Sequence, residues 1–381
     1  MNLRPPRPER GALPDCATLR RKDALISACT EGCKHRDHIA QGHTYQRMNA
    51  ELKTQMIEAS DRAVKAAARV LARGGLVAFP TETVYGLGAD ACDGEAVARL
   101  YRAKGRPSFN PLIAHVADTV AAHRLARFDT AADRLAAAFW PGALTLVLPK
   151  RPACPVADLA AAGLGTIAVR VPRHPVAHSI LREFGGVVVA PSANRSGHVS
   201  PTTAAHVLSD LRGRIDLIVD AGPAPMGLES TIVACIGEPA LLRPGALPRG
   251  AIEQALACGE GLLRHGLAAP DLADADAAPM APGHLPSHYA PRARLRLDAM
   301  RTYPGEALLA FGPDKIADAD AAVLALNLSP VGDLTEAAAT LFSHLRALDA
   351  SGAATIAVMP VPRAGLGEAI NDRLERAAAR R

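Results

Sequence analysis

From Ile57 onward the chain alternates between two hydrophobic periods. Ala63, Ala66, Ala67, Val70 and Leu71 share one face at helical spacing, and that pattern ends near Gly74-Gly75. Leu76–Phe79 is a short all-apolar run stopped by Pro80, which reads as a buried strand. Glu95–Lys104 reads as helix, with Val97, Leu100 and Tyr101 at i, i+3 and i+4. Further strands are expected at Leu112–Val116, Leu144–Leu148, Thr166–Val171, Val187–Ala190, Leu217–Val219 and Thr231–Cys235. Helices are expected between several of them, at 130–139, 175–184 and 202–211, with a closing helix at 249–258. This alternation predicts an α/β domain over 56–257 built on a large mixed sheet.

Residues 258–294 break the pattern with Gly, Pro, Ala and Asp, and read as a linker. A second α/β pattern follows over 295–381. Strands are expected near 307–311, 322–326 and 355–359, with helices at 333–349 and 366–379. In the first of these helices Leu334, Ala338, Leu341, Leu345 and Leu348 keep helical spacing. About 85 residues suffice for a small parallel sheet. The length of 381 residues agrees with two domains.

Charge changes the picture less than the total suggests. The chain carries 43 Lys and Arg against 38 Asp and Glu, a net of +5. Residues 1–47 hold nine of those cations against five anions, so the rest is nearly neutral. Seven Phe, five Tyr and one Trp are too few for a protein that reads single-stranded nucleic acid on aromatic platforms. No apolar run approaches the roughly 18–20 residues of a membrane span. Seven scattered cysteines argue against a disulfide framework and for a reducing, cytoplasmic setting. Residues 1–55 have no apolar period and read as a disordered extension, or as an upstream start with Met48 or Met56 opening the recognisable protein. Cys29, Cys33, His35 and His38 within it could be a zinc cluster, but the ligands are crowded and no second Cys pair follows. No metal site built of protein side chains is therefore assigned.

The segments that could carry chemistry are cationic and hydroxyl-rich. Pro80–Gly88 leaves a strand with hydroxyls, a carboxylate and two glycines, either a ligand-presenting loop or a polar turn. Lys104 and Arg106, set between Gly105 and Pro107 and followed by Asn110 and His115, suit a polyphosphate clamp or a helix end answering its dipole. Thr166, Ala168 and Arg170 share one face of a strand. An Arg there must find a partner, either a carboxylate substrate or an internal Asp or Glu. Ala190–Gly197 and Ser200 supply small hydroxyl donors or helix caps. Glu229-Ser230-Thr231 opens one strand and Arg243-Pro244-Gly245 closes the next. Walker A, GxGxxG and GxSxG patterns are absent, which excludes a P-loop, a nicotinamide fold and a hydrolase elbow.

Seven spaced segments resemble the YrdC-like family of L-threonylcarbamoyladenylate synthases. They are PTETVYGLG (80–88), KGRPSFNPL (104–112), WPGALTLVL (140–148), GTIAVRVPRHP (165–175), APSANRSGHVSPT (190–202), ESTIV (229–233) and LLRPG (241–245). PGHLPSHYAP (282–291) and GLGEAINDRL (365–374) are similar to the longer, two-domain form, although His284 stands where that form usually has Met. The resemblance implies a YrdC-like domain with a large twisted mixed sheet, followed by a small Rossmann-like domain. It implies a nucleotidyltransferase that makes threonylcarbamoyl-AMP and pyrophosphate from L-threonine, bicarbonate or CO2, and ATP with Mg2+. The product would feed the transferase machinery that modifies the adenosine beside the tRNA anticodon. Carried over by motif, Lys104 and Arg106 would be catalytic. Thr83, His115, Arg170, the Ala190 backbone and Ser230 would hold threonine. Arg106, Asn110, Thr166, Ser192, Asn194, Ser200, Arg243, His288 and Tyr289 would hold ATP, the last two as a lid.

Two alternatives stand beside this reading. A double-stranded RNA-binding module is disfavoured by the neutral body, although weak RNA binding is compatible with it. A carbamoyl-AMP-forming module of the hydrogenase-maturation type would bring acylphosphatase and zinc-finger segments, which are not seen beyond residue 48.

Overall fold

A computed structural model describes residues 52–259, 261, 263–266 and 289–379. The crowded Cys29, Cys33, His35, His38 cluster and His288 lie outside the described residues, as does most of the segment read as a linker. Fifteen strands and nine α-helices are described. The strands are β1 (Gln55–Glu58), β2 (Val77–Pro80), β3 (Tyr85–Asp90), β4 (Ile113–His115), β5 (Leu144–Pro149), β6 (Thr166–Arg170), β7 (Val188–Val189), β8 (Leu217–Asp220), β9 (Thr231–Ala234), β10 (Ala240–Arg243), β11 (Arg264–His265), β12 (Arg294–Arg296), β13 (Ala307–Ala310), β14 (Ala325–Asn327) and β15 (Thr355–Val358). The helices are α1 (Asp61–Ala72), α2 (Gly94–Lys104), α3 (Thr119–Leu125), α4 (Thr130–Phe139), α5 (Pro175–Phe184), α6 (Ala204–Leu211), α7 (Arg249–Leu256), α8 (Leu334–Ala350) and α9 (Leu366–Ala378).

The first eleven strands form one mixed sheet in the order β1-β8-β2-β3-β7-β4-β6-β5-β9-β10-β11. The remaining four form a separate parallel sheet, β12-β15-β13-β14. The expected α/β architecture is thus present in both halves. Its central strands are apolar on both faces, as β5 (LTLVLP) and β6 (TIAVR) show, because helices cover the sheet. Ser60, Asp93, Asp118, Asp129, Thr203 and Asp333 cap their helices by accepting backbone N–H groups, and so fix where each begins.

Several differences have physical causes. The glycines of Pro80–Gly88 point to a loop, yet Tyr85–Asp90 is a buried strand pairing antiparallel with β2 from Pro80↔Tyr85 to Val77↔Gly88. A Cβ on Gly88 would meet the Phe79 ring at 2.7 Å, so here glycine serves close packing. The strand expected at 322–326 is displaced to Ala325–Asn327 by a 3-10 turn over Ala319–Ala321. Arg264–His265, inside the linker segment, adds a short strand to the edge of the large sheet. β1 and α3 carry an apolar pattern too weak to predict from sequence.

The two sheets are not independent. One hydrophobic cluster joins Val84, Val199, Leu228 and Ala246 of the first half to Tyr289, Leu309, Leu341 and Phe342 of the second. The chain just before Glu229 presses on α8. At Gly227, φ is +69° and a Cβ would lie 2.3 Å from the Ala338 carbonyl oxygen. Left-handed backbone alone costs a non-glycine residue about 1–2 kcal/mol, and here α8 would also have to retreat. Gly227→Ala should therefore lower the melting temperature by roughly 4 °C or more. An unchanged melting temperature would mean that the contact between the halves is looser than it looks.

Candidate functional site

The site forms where several of the seven conspicuous segments converge on one cavity. Its walls are Thr83, Val84, Arg106, Ile113, Arg170, Ala190, Pro191, Ser192, Glu229, Ser230, Arg243 and Tyr289.

Arg170 enters at the end of β6, a central strand between β4 and β5. It is 4% exposed, and its partners are internal. Nη2 donates to Glu82 Oε1 at 2.7 Å, Nη1 to Thr83 Oγ1 at 3.0 Å and Nε to the Gly142 carbonyl at 3.2 Å. Of the two partners the sequence leaves open, the internal one is present, at the tip of the β2–β3 turn. A guanidinium has five N–H donors, so two remain for a ligand. Glu82 also accepts from the N–H groups of Arg173 and His174 at 3.0 and 3.2 Å. Although burial alone would raise its pKa, Arg170 and the backbone N–H groups of Glu82 and Arg173 bring it below the usual carboxylate value. His115 lies in register with Arg170 on the adjacent strand, its Nδ1 3.1 Å from the Ile113 carbonyl. Burial, with Arg170 beside it, pushes its imidazole down to about 3, so it is neutral at physiological pH.

The segment 104–112 divides at a left-handed Gly105, which ends α2 and turns the chain. Arg106 goes to the cavity, where Nε and Nη2 hold the Asn110 and Pro111 carbonyls at 3.3 and 3.0 Å. Burial lowers it to about 10, still charged at neutral pH. Lys104 goes behind the wall. Its Nζ donates to the Ser192 and Asn194 carbonyls, both at 2.5 Å, and fastens the loop that carries Ser192. Burial, with Arg106 nearby, takes its ammonium well below the ordinary lysine range. A lysine in that position supports the Ser192 loop from beneath. Asn110 is wholly buried with both side-chain polar atoms unpartnered, and so is the Asn194 oxygen.

Ser230, just before β9, meets Arg243 at the end of β10. Arg243 Nη2 reaches the Ser230 carbonyl at 2.8 Å and its hydroxyl at 3.3 Å, and that hydroxyl also lies 2.7 Å from Thr145 Oγ1. Ser200 stands behind the wall, donating to Glu229 Oε1 at 2.5 Å. The Ala190 N–H is given to the Ile113 carbonyl at 3.1 Å, which leaves its own carbonyl for a ligand. Tyr289, with φ at +62° and 1% exposed, closes the wall from the second half and stacks on Phe342. Thr166 is half-buried at the far end of β6, opposite Pro149, and is not on the wall.

Eight of the expected residues therefore line the cavity: Thr83, Arg106, Arg170, Ala190, Ser192, Ser230, Arg243 and Tyr289. Lys104, His115, Asn110, Asn194 and Ser200 do not line the cavity, but all except Asn194 hydrogen-bond to wall residues: Ser192, Ile113, Arg106 and Glu229 in turn. Sequence reasoning gives no role to Glu82 or Glu229. Their signal is indirect: arginines on buried strands require buried carboxylates, and both glutamates sit beside threonine or serine in the quoted segments.

The chain matches a family model described as "Telomere recombination", of the Sua5/YciO/YrdC type, over residues 69–245. It matches another described as "Threonylcarbamoyl-AMP synthase, C-terminal domain" over 248–379. It is 39% identical to the threonylcarbamoyl-AMP synthase of Bacillus subtilis over 341 residues, 86% of this chain and 96% of that protein. Identity to the Pyrococcus abyssi threonylcarbamoyl-AMP synthase is also 39%, over 84% of this chain and 94% of the relative. Among solved structures, it resembles P. abyssi Sua5 complexed with L-threonine, with a TM-score of 0.74, 36% identity, and coverage of 86% and 98% of the two chains.

The electrostatics of His115 give a pH test. In the unfolded chain it takes a proton near pH 6.5, in the folded chain only near 3. Its share of stability is complete above pH 6.5 and drains away as pH falls towards 3. Melting temperature should fall more steeply from pH 7.5 to 5 in the parent protein than in His115→Gln. Parallel curves would show that the imidazole is not held neutral.

Proposed function

The chain belongs to the threonylcarbamoyl-AMP synthase family, and on that premise we propose how its cavity joins L-threonine, bicarbonate or CO2, and ATP into threonylcarbamoyl-AMP and pyrophosphate. The observation that carries the assignment of roles is the cluster of three buried arginines, Arg106, Arg170 and Arg243, on one wall. Their surplus of positive charge suits a carboxylate together with a polyphosphate.

Threonine takes the side of the cavity formed by Thr83, Arg170, Ala190 and Ser230. The two remaining Arg170 N–H groups bind its carboxylate, and the Ala190 carbonyl accepts from its amine. Neutral His115 adds no charge that would compete for that carboxylate. The amine gives up a proton and captures CO2 as a carbamate. A carbamate oxygen then bonds to the α-phosphorus of ATP while the bond to the β-phosphate oxygen breaks, releasing pyrophosphate. No covalent enzyme intermediate is needed. The work is alignment and neutralisation of charge, supplied by Arg106 and Arg243 and by the hydroxyls of Ser192 and Ser230. Lys104 keeps the Ser192 loop in place. The amide of Asn110 and the oxygen of Asn194, buried without partners, are polar atoms that a nucleotide would satisfy. Tyr289, with His288 next to it in sequence, excludes water from the mixed anhydride.

Mg2+ accompanies ATP in this scheme and shields its phosphate charge. Glu229, the carboxylate on the wall among the described residues, has its oxygens on Ser200 and Arg373, so the ion would be held by the phosphates. Among the described residues no helix is long and apolar enough to cross a membrane. The proposed consumer of the product is the transferase machinery that modifies tRNA, and the proposed setting is the cytoplasm.

Pyrophosphate release should require threonine, bicarbonate and ATP together and proceed without RNA. Release that depends on added RNA, or none at all, would overturn the scheme. Asn110→Ala should raise the KM for ATP severalfold with little change in melting temperature, since its side chain makes no internal hydrogen bond to lose. An unchanged KM would remove Asn110 from the nucleotide site.

A further inference from the structure

The second half of the chain places a charge inside the first. Arg373, on α9, is wholly buried, the largest side chain so enclosed. Its Nε donates to Glu229 Oε2 at 2.8 Å, its Nη2 to the Pro244 carbonyl at 3.0 Å and its Nη1 to Asp372 at 2.5 Å. The guanidinium also lies 5.1 Å from the centre of the Tyr289 ring, within cation–π range. One side chain of the small domain thus touches three pieces of the cavity's nucleotide side: the carboxylate on the wall, the backbone after Arg243, and the tyrosine that closes it. On the threonine side Arg170 donates instead to Glu82 and the Gly142 carbonyl, and His115 pairs with the Ile113 carbonyl.

Glu229 is the reason such a contact matters. It is a buried carboxylate on the wall of a cavity proposed to receive a polyphosphate, and an uncompensated anion there would repel it. Although burial alone would raise the Glu229 pKa, Arg373 and Arg243 hold it below the ordinary value, so it stays ionised and is balanced by its neighbours. Ionised, it can accept from Ser200 and Arg373 at once, which fixes both ends of the wall. Taking away one member of a buried pair leaves the other's charge exposed to low dielectric and costs far more than a surface pair.

We propose that Arg373 is a positioning residue for the ATP half of the reaction, acting through Glu229 and Tyr289 from the small domain. The proposal rests on the synthase reading above. In this role the small domain neutralises a carboxylate in the active cavity and seats the closing tyrosine.

The test uses the full chain and pyrophosphate release, with the KM for Mg·ATP and for threonine measured separately. Arg373→Met, confirmed folded by circular dichroism and melting, should raise the ATP KM by roughly tenfold or more and leave the threonine KM within about twofold. Arg373→Lys keeps the charge but loses the planar fork, and should fall between parent and Met variant. Adding Glu229→Gln to Arg373→Met removes the stranded charge while keeping a partner for Ser200, and should recover most of the lost ATP affinity. A merely structural arginine would not be rescued in this way. Unchanged ATP KM in folded Arg373→Met, equal losses for both substrates, or no recovery in the double variant would each overturn the proposal. Should Arg373→Met fail to fold, the Lys variant decides by the same split between the two KM values. If the parent enzyme itself releases no pyrophosphate, the synthase reading falls instead, and Mg·ATP binding by calorimetry on the same variants tests Arg373 separately.

Discussion

Four guanidinium groups, those of Arg106, Arg170, Arg243 and Arg373, are buried around one cavity, and each must have its charge and its N–H donors answered inside the protein. Much of the local architecture follows from that demand. The β2–β3 turn carries Glu82 inward to meet Arg170. The strand opening at Glu229 brings a second carboxylate to Arg373. Backbone carbonyls answer further N–H donors: Asn110 and Pro111 for Arg106, Ser230 for Arg243, Gly142 for Arg170. Anchored in this way, the arginines are held in position before any substrate arrives, and little reorganisation is left for the moment of binding.

The same demand ties the two halves together. A separate catalytic domain with a mobile appendage would need no shared interior, whereas Leu228 and Val199 share one apolar cluster with Leu341 and Phe342. Gly227 lets the backbone before Glu229 rest on α8, and α9 inserts Arg373 behind Glu229. A further ion pair, Arg346 with Asp210 at 2.9 Å, and another, Arg249 with Glu368 at 2.6 Å, fasten the flanks. The second half of the chain therefore supplies part of the wall through Tyr289 and backs it through Arg373.

Much of this architecture is legible in the order of the residues. The mostly apolar runs at 144–148 and 166–171 mark central strands, and the period of Leu334, Leu341, Leu345 and Leu348 marks α8. The motifs contain most of the residues that line the cavity. Less legible is the division of labour within a motif. Lys104 and Arg106 stand two residues apart and read as one clamp, but a left-handed Gly105 between them sends one behind the loop and the other to the wall. The Gly86-Leu87-Gly88 run reads as a loop because glycine usually breaks strands, while here the tight approach of Phe79 selects it. Glu82 and Glu229 are inconspicuous because a carboxylate's partner is distant in sequence, 88 residues away for Arg170 and 144 for Arg373.

The sequence by itself therefore determined the α/β alternation, the two sheets, the family and the identity of most charged and hydroxyl groups that line the cavity. These depend on local periodicity and on short motifs that travel intact along the chain. Only the tertiary structure decided which cations face the cavity, which support it from behind, and that the last helix supplies one of them. Those outcomes depend on burial and on pairing across long sequence distances, and no local pattern encodes either.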